Sequence, residues 1–410
     1  MIFTPYTDEL EVINRIHKYN SWEYALIRLT STMLGKNNID ANAIFRDILF
    51  KKGILDYEIL QSGGSNGIKL ETTFMFNDST QKRIMNFYRV NNKRGDRRFS
   101  IYGIKDLERK GLVNENDLLY ITIVDQTVTV MNLTHNVPTD NALENVFGYD
   151  LINDAVDRLT EKVRKIAQEG FHRNCFRAGK PAPRDAGDTL ERLLGIKANN
   201  SQKADFENLI ELKSKTSKTM DTLFTLRPKF ENTPVALYEP KDRSRVSAFA
   251  RLYGYESDRH PGAKSLYITI GSESAPQNSY GFFLAVNEEN RTIELRRTNL
   301  AGKTELTAFW TFDALEKELH TKHKTTLWLD VETKMLDGTA SFKYIAAELS
   351  RSPQFATFLS MVQSGAITYD WRGYTTPEGP YSGKNHGNAW RVKNKMRHLL
   401  FGSMEKIELI

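Results

Sequence analysis

The sequence has almost no cysteine and no long apolar run, and each absence excludes a class of protein. Cys175 is the single cysteine among 410 residues, so disulfide scaffolds and cysteine-rich zinc sites are excluded. No stretch approaches the roughly 18 consecutive apolar residues that a membrane-spanning helix needs. The first residues are acidic and lack the basic-then-apolar pattern of a secretory signal, so we expect a cytoplasmic protein.

Neither sign of charge dominates the composition. The chain has 57 Lys and Arg residues against 51 Asp and Glu residues, a net charge of +6. This balance permits a nucleic-acid partner without requiring one, so the placement of the charges has to decide. A hydrophobic fraction of 40% and a charged fraction of 26% are typical of globular proteins. The length predicts two or three domains.

The N-terminal third combines helical and strand patterns. Apolar residues recur at threes and fours over 5–50, which predicts helices. A Gly/Ser turn with a short alternating run over 62–76, and a hairpin pattern over 117–133, predict strands. The segment 135–141 contains Pro, Asn and Asp without an apolar period. We therefore place a boundary there, between a domain over 1–140 and a second domain over 141–410.

The rest of the chain also mixes helices and strands. Apolar residues line one face of a predicted amphipathic helix over 151–168, and the segment 340–365 is predicted to be mostly helical. Mixed elements within one domain indicate an α/β fold, with a central sheet flanked by helices. The predicted strands of this part are 265–271, 280–286, 291–297 and 325–331.

Three residues near the middle of the chain suit metal-dependent chemistry. Asp205 is followed by Glu211 and Lys213, and alternation in a strand would put the latter two on one face. A turn around Glu207 and Asn208 would bring Asp205 beside Glu211. Two such carboxylates can hold Mg²⁺, and a lysine next to the ion can position or deprotonate a water. The pattern predicts hydrolysis of a phosphodiester by in-line attack.

Glu191 lies upstream of this triplet on a second predicted helix. It stands beside the apolar stripe of that helix, where it could reach a second ion or the attacking water. The alternative is structural, because Asp188 and Glu191 have the spacing of a capping box at a helix start.

The triplet also has a structural alternative, and the sequence contains a second copy of its residue types. Glu-x-Lys in a strand is usually a solvated pair, and Asp330, Glu332 and Lys334 repeat it. Asp330 stands only two residues before Glu332, which leaves no turn to bring the carboxylates together from separate strands. The spacing favours the first copy, although composition alone does not choose.

The segments 187–200 and 204–215 resemble the MvaI/BcnI-type restriction endonucleases, relatives of the mismatch-repair nickase MutH. That family has a Gly-x-x-Leu-Glu helix, then Asp-Phe, then Glu-Leu-Lys. The resemblance covers about 150–410 and implies a PD-(D/E)xK nuclease fold with a mixed central sheet. It also implies double-stranded DNA as the partner and Mg²⁺ as the cofactor, held by Asp205 and Glu211. The positions that match the family's active site are Glu191, Asp205, Glu211 and Lys213.

The block 369–398 interleaves glycines, aromatics and basic residues, and we expect it to be a loop. Arginine reads guanine with two hydrogen bonds and a carboxylate accepts from cytosine, so Asp370 with Arg372 could read a C·G pair and Arg391 another guanine. The alternative is a solvated basic loop that contacts only phosphates. Base reading is favoured by the resemblance, since these three residues match the family's base-reading positions. His386 in the same block could contact a base or the backbone.

A second basic cluster lies over 82–98, with seven Lys and Arg residues against one Asp. It predicts a DNA-facing arm, with a solvated charge run as the alternative. The segments 62–70 and 91–100 resemble the B3-like DNA-binding domain at the front of EcoRII-type endonucleases, which implies a β-pseudobarrel over about 55–135. The positions that match its two recognition arms are Ser65, Asn66, Arg94, Asp96, Arg97 and Arg98.

Together the resemblances imply a prokaryotic, Mg²⁺-dependent type II restriction endonuclease that acts as a monomer. Both families read CCWGG, where W is A or T, so we expect that target or a close variant. A cognate methyltransferase would protect the host DNA. Two alternatives stay open: a MutH-like strand-specific nickase, and a sequence-specific DNA-binding protein that does not cleave.

Overall fold

The computed structural model describes residues 5–20, 22–196, 203–216 and 220–409. No helix within these ranges is long and apolar enough to cross a membrane. Helices and strands alternate throughout, so the predicted mixed α/β class is confirmed. The chain divides into two units, which are Met1–Arg158 with Gly402–Glu405 and Leu159–Phe401 with Lys406–Ile410.

The first unit is built on a seven-stranded sheet. Its strand order is β1-β6-β7-β3-β4-β5-β2, and every neighbouring pair is antiparallel except β3 with β7. The strands are β1 (Ala25–Arg28), β2 (Ile39–Asp40), β3 (Ile68–Phe76), β4 (Ser79–Arg89), β5 (Arg97–Ile101), β6 (Leu118–Val124) and β7 (Thr127–Asn132). The helices are α1 (Thr7–Ile16), α2 (Ser31–Lys36), α3 (Ala43–Lys51), α4 (Ile104–Arg109) and α5 (Asp140–Phe147).

The helical prediction over 5–50 is wrong for one segment. Residues 25–28 form β1, whose side chains are alternately buried and partly buried. This two-residue period is that of a strand. Ala25 pairs with Ile121 of β6, so an available partner strand decides the conformation of these four residues. The hairpin predicted over 117–133 is confirmed as β6 and β7.

The predicted amphipathic helix is confirmed as α6 (Ile152–Gln168). The apolar residues predicted to line one of its faces are buried, which are Ile152, Ala155, Val156, Leu159, Val163 and Ile166. The second unit continues from it with α7 (Asp185–Leu193), α8 (Pro234–Tyr238), α9 (Arg245–Tyr253), α10 (Phe312–His323), α11 (Phe355–Gln363) and α12 (Arg397–Leu400). Its strands are β8 (His172–Arg173), β9 (Glu211–Lys215), β10 (Met220–Phe224), β11 (Tyr255–Glu256), β12 (Lys264–Ile270), β13 (Phe282–Asn287), β14 (Thr292–Thr298), β15 (Thr304–Thr311), β16 (Thr325–Leu336), β17 (Thr339–Pro353), β18 (Ile367–Thr375), β19 (Gly383–Asn385) and β20 (Ala389–Lys393). The last strand, β21 (Phe401–Ile407), is divided between the units, since Gly402–Glu405 belong to the first.

Two sheets of the second unit carry the residues singled out by the sequence. In one sheet β9 runs parallel to β16, which pairs antiparallel with β17. In the other the order is β10-β20-β18-β12-β11, with β19 beside β18. The four strands expected over 265–331 are present as β12, β13, β14 and β16.

The helix predicted over 340–365 is mostly wrong. Residues 339–353 form β17, and only 355–363 are helical, as α11. The sequence of β17 contains good helix formers, but it pairs with β16 along twelve residue pairs. Long-range pairing of this kind overrides a local propensity worth only tenths of a kcal/mol per residue.

Buried aromatic rings pack against the β18–β20 pair. The rings of Trp310, Tyr369 and Trp390 are fully or almost fully buried and lie within 4.6 to 5.2 Å of one another. Trp371 stacks on Phe249 with ring centroids 3.9 Å apart. Because strand side chains alternate, this core fixes the opposite face of β18 and β20, which carries Asp370, Arg372 and Arg391.

Candidate functional site

Glu211 and Lys213 share one face of β9, and the parallel neighbour β16 sets their register. Glu211 pairs with Thr326 and Lys213 pairs with Trp328. Leu212, between them, is buried on the other face. The Lys213 ammonium contacts a carboxylate oxygen of Glu211. The two side chains therefore form one charged pair, as alternation along a strand predicts.

A tight turn before β9 brings Asp205 to the same place. Phe206 and Ile210 exchange two backbone hydrogen bonds of 2.9 and 3.1 Å, and Glu207 and Asn208 both have left-handed backbone, with φ of 52° and 59°. An Asx carboxylate at this position can cap the turn, and Asp205 Oδ2 accepts from the Leu212 amide at 2.9 Å. The predicted turn is confirmed, and it anchors Asp205 to the strand that carries Glu211.

Glu191 reaches this cluster from α7. Burial, and after it the nearby carboxylates of Asp205 and Asp188, raise the pKa of Glu191 to about 7 against the opposing charge of Lys213. These interactions require Glu191 to lie among the acidic groups. The capping-box alternative is wrong, because α7 begins at Asp185 and Asp188 lies inside the helix, paired with Arg184 at 3.1 Å.

The donor set at this cluster fits a hard divalent cation. Glu211 is only 3% exposed, and its Oε2 is buried without a hydrogen-bond partner among the described residues. Burial raises the pKa of the Glu211 carboxyl, against the opposing effect of Lys213. An unsatisfied buried carboxylate oxygen is costly unless a cation or donor meets it. Oxygen ligands from Glu211 and Asp205 are those that Mg²⁺ prefers.

The candidate base-reading residues lie on strands, so the expected loop over 369–398 is wrong for most of them. Asp370 and Arg372 are on β18, and Arg391 is on the adjacent β20. Asp370 is 4% exposed, and its Oδ2 forms an ion pair with Arg372 at 3.0 Å and accepts a hydrogen bond from Arg391 at 2.9 Å. Its Oδ1 accepts from Thr269 at 2.7 Å. The buried carboxylate therefore holds both guanidinium groups on one face of the sheet.

His386 lies next to these residues at the end of β19. Its backbone amide donates to the Arg372 carbonyl at 2.9 Å, and its side chain is exposed. The imidazole is tilted against the rings of Tyr267 and Tyr374, with centroids 5.9 and 6.3 Å away. The structure thus brings His386 to the same side of β18 as its neighbour Tyr374.

A cavity of about 230 Å³ is lined by Lys213 and Arg391 and by several residues that we did not single out from the sequence. Among them, buried Asp221 binds Lys215 Nζ at 2.6 Å and Arg397 Nη1 at 2.8 Å. The Arg397 guanidinium lies 4.4 Å from the ring centre of Trp328. Lys215 was detectable in principle, because it follows Lys213 by two residues and so shares its face of β9. The pairing of Asp221 with Arg397, 176 residues later, leaves no local sequence signal.

In the first unit the two segments matched to recognition arms meet at the end of β4. Ser65 and Asn66 lie exposed on a short 3-10 turn, and the Gly63 amide donates to the Arg89 carbonyl at 2.8 Å. The other arm, with Arg94 and Asp96, joins β4 to β5 and is tied back by a 2.8 Å bond from the Val90 amide to the Asp96 carbonyl. The first arm therefore leads into β3 and the second leaves β4, and both are hydrogen-bonded near the end of β4.

The basic charge of that region is more balanced than the segment 82–98 suggests. Arg97 binds both carboxylate oxygens of Glu58 at 2.7 Å. Arg98 pairs with Asp40 at 3.0 Å and with Asp96 at 3.6 Å. The acidic partners Glu58 and Asp40 come from outside the segment, so its local excess of +6 overstates the charge at this surface.

Comparison with known proteins gives a family and a fold. A model of the MvaI/BcnI restriction endonuclease family matches residues 160–401. Among solved structures, the chain is similar to the restriction endonuclease MvaI in complex with its cognate DNA substrate. The TM-score is 0.51 with 23% sequence identity, over 62% of this chain and 98% of that chain. MvaI in the absence of DNA matches with a TM-score of 0.37, 22% identity and the same coverage. A comparison with curated proteins found no match.

Proposed function

The chain belongs to the MvaI/BcnI restriction endonuclease family, and from that premise we propose a Mg²⁺-dependent type II restriction endonuclease. Its proposed substrate is double-stranded DNA, which is also the ligand in the solved MvaI complex. Its proposed target is CCWGG or a close variant. The second unit would supply the PD-(D/E)xK nuclease, with catalytic residues Glu191, Asp205, Glu211 and Lys213.

The observation that carries the proposal is the meeting of Asp205, Glu211 and Lys213 at the start of β9, with Glu191 of α7 near enough to interact with them electrostatically. Burial and the neighbouring carboxylates of Asp205, Asp188 and Glu211 together raise the pKa of Glu191 to about 7. Carboxylates brought together at such a cost are expected where a cation or a proton transfer needs them. Glu211 Oε2 supports the same conclusion, because it is buried without a hydrogen-bond partner among the described residues.

Asp205 and Glu211 would hold the metal ion, which when bound supplies charge stabilisation for the attacked phosphodiester. Lys213 is held by Glu211 next to them. From there its ammonium can orient the attacking water and neutralise charge on the phosphate. Glu191, with a pKa near neutrality, can accept a proton at the same point.

Arg372 and Arg391 are the proposed guanine readers, because their guanidinium groups are pre-oriented by one buried carboxylate. Asp370 Oδ2 holds these arginines, whereas Oδ1 accepts from Thr269 and retains capacity for a second donor. A cytosine amino group is the donor that the target sequence would present there. His386, exposed beside Arg372, would contact a base or the backbone.

We propose that the first part of the chain, over 1–140, is a separate B3-like DNA reader, followed by the nuclease over 141–410. The seven-stranded sheet is compatible with a B3-like pseudobarrel, and its two arms meet at the end of β4. Ser65, Asn66, Arg94, Asp96, Arg97 and Arg98 are the proposed contact residues. The enzyme would act as a monomer in a prokaryotic cytoplasm, with a cognate methyltransferase protecting the host.

The test is cleavage of a supercoiled plasmid that carries one CCWGG site. In Mg²⁺ we expect linear product with ends that map to that site, and in EDTA no cleavage. Cleavage in EDTA would contradict the metal dependence, and ends at unrelated sequences would contradict the target.

The same gel separates the two alternatives. A MutH-like strand-specific nickase would leave open-circle DNA as the end product. A DNA-binding protein without nuclease activity would retard a CCWGG duplex and leave the plasmid intact. Linear product excludes both.

A further inference from the structure

The cavity beside Lys213 is lined by more basic than acidic residues, and two of the basic ones, Lys215 and Arg397, have no role in the proposed reaction. Four of its lining residues are basic and one is acidic, which is Asp221. The basic ones are Lys213, Lys215, Arg391 and Arg397. Each of the four is already paired with a carboxylate, so the cavity offers an anion oriented cationic donors rather than a net positive charge.

Lys215 lies on β9 two residues after Lys213, so it extends the row of active-site side chains along that β-strand. It shares the face of Glu211 and Lys213, and two residues of extended chain advance about 7 Å. That advance is on the scale of one nucleotide step in a DNA strand. A 2.6 Å pair with Asp221 holds the Lys215 ammonium beside the cavity, which both residues line.

Arg391 and Arg397 line the same cavity and are not fully hydrogen-bonded. Each has a buried Nε–H without a hydrogen-bond partner among the described residues. Arg397 is itself 4% exposed and is held by Asp221, by Glu348 and by the face of Trp328. Buried, unsatisfied guanidinium donors are costly, and phosphate is the anion whose geometry arginine matches best.

We infer that this cavity binds a second backbone phosphate, the neighbour of the scissile phosphodiester on the strand being cut. The inference rests on the proposed nuclease function and assigns to it a further binding residue, Lys215. Lys215 meets the phosphate charge, Arg397 lends a fixed donor, and Asp221 positions both cations. The contact holds the strand in line with Lys213 and the carboxylates, so its loss lowers the rate of cleavage as well as binding.

The experiment combines a Lys215 variant of the enzyme with DNA duplexes in which one phosphate has been made uncharged. Short duplexes of the mapped site carry a single methylphosphonate at each phosphate within two steps of the scissile one. Cleavage efficiency (kcat/KM) in Mg²⁺ is compared for the wild-type enzyme, Lys215→Gln and Lys303→Gln. Lys303 is the matched control, since it is an exposed lysine in the turn between β14 and β15.

For the wild type we expect a loss of about tenfold at one neighbouring phosphate, the scale of one charge-assisted hydrogen bond. Lys215→Gln should lose about tenfold on the unmodified duplex and nothing further on that modified one. Lys303→Gln should match the wild type on every duplex. Lys215→Arg, which keeps the charge and the pair with Asp221, should recover most of the loss.

If Lys215→Gln on that modified duplex is about a hundredfold less efficient than the wild type on the unmodified one, the proposed pocket is wrong. The two changes would then act independently, because independent effects add in free energy. A wild type that tolerates every neighbouring methylphosphonate also overturns the pocket, and this arm needs no variant to fold. Both results leave cleavage of the unmodified duplex intact. Failure of the wild type to cleave that duplex would instead overturn the proposed function and the pocket with it.

Discussion

Two segments of the chain contain an aspartate followed by Glu-x-Lys, and the fold treats them differently. In the first, Glu211 is buried and contacts Lys213, and Asp205 is turned back onto the same strand. In the second, Glu332 and Lys334 are exposed near the end of β16. The residue types are the same, but only the first segment collects carboxylates from separate elements.

The difference lies in what precedes each glutamate. A two-residue left-handed turn at Glu207 and Asn208 reverses the chain before β9. In β16, Asp330 and Glu332 belong to one continuous strand with a bulge between Asp330 and Val331. A strand keeps its own side chains apart, so a metal site built from carboxylates needs a second element, here the turn and α7. The spacing of the aspartate, not the Glu-x-Lys motif, therefore carries the functional signal.

The largest expected effect comes from replacing Lys213, and the same replacement of Lys334 in the second segment is the control. Lys213→Ala should reduce cleavage of a plasmid in Mg²⁺ by about a thousandfold, because it removes the group that orients water and offsets phosphate charge. Lys334→Ala should cleave at the wild-type rate. Equal losses in both variants, or loss in Lys334→Ala alone, would abolish the distinction between the segments.

Asp205→Asn should have the next largest effect, about a hundredfold on the maximal rate. It keeps a side-chain acceptor for the Leu212 amide but removes one of the charges proposed to hold Mg²⁺, so more Mg²⁺ should be needed for half-maximal cleavage. A Mg²⁺ titration of the initial rate measures this. Glu332→Gln is the control and should leave the titration unchanged. An unaltered Mg²⁺ requirement in Asp205→Asn would remove it from the metal site.

The smallest expected effect is on stability, and it has a pH dependence. Glu191 has a pKa of about 7 when folded, against an ordinary value of 4.5. Because the pKa is raised on folding, Glu191 contributes stability that is fully present below pH 4.5. This contribution to the free energy of unfolding is lost as pH rises through 7. Without metal, Glu191→Gln should therefore be more stable than the wild type at pH 8, by about 1 kcal/mol after allowance for its partial exposure. The two should be equally stable at pH 4.

Denaturant unfolding at the two pH values measures the effect, with Glu332→Gln as the exposed control. If Glu191→Gln is not more stable than the wild type at pH 8, the ionised Glu191 carboxylate does not destabilise the folded protein. A gain shared by Glu332→Gln would mean that the effect is not local to the cluster.

Much of the candidate site could be predicted because its signals are local. The turn at Glu207 and Asn208, the face shared by Glu211 and Lys213, and the helix of Glu191 each depend on a few adjacent residues. The face of α6 is another local pattern, and all its predicted apolar residues are buried. Period and turn chemistry are sufficient for such elements.

The failures concern segments whose conformation is decided by distant partners. β17 has a helix-forming composition and is a strand because β16 lies beside it. The block with Asp370 and Arg391 has the glycine and charge of a loop, yet β12 and β20 hold β18 between them. Glu58 and Asp40 neutralise arginines far along the chain. None of these pairings leaves a mark in a single sequence.

The central claim is that Asp205 and Glu211 form one divalent-cation site and that the second copy does not. Binding of Mn²⁺, followed by loss of the electron paramagnetic resonance signal of the free ion, tests it without relying on cleavage. Glu332→Gln should bind Mn²⁺ like the wild type, and Glu211→Gln should bind about tenfold more weakly or not at all. Wild-type affinity in Glu211→Gln, or a loss confined to Glu332→Gln, would contradict the account.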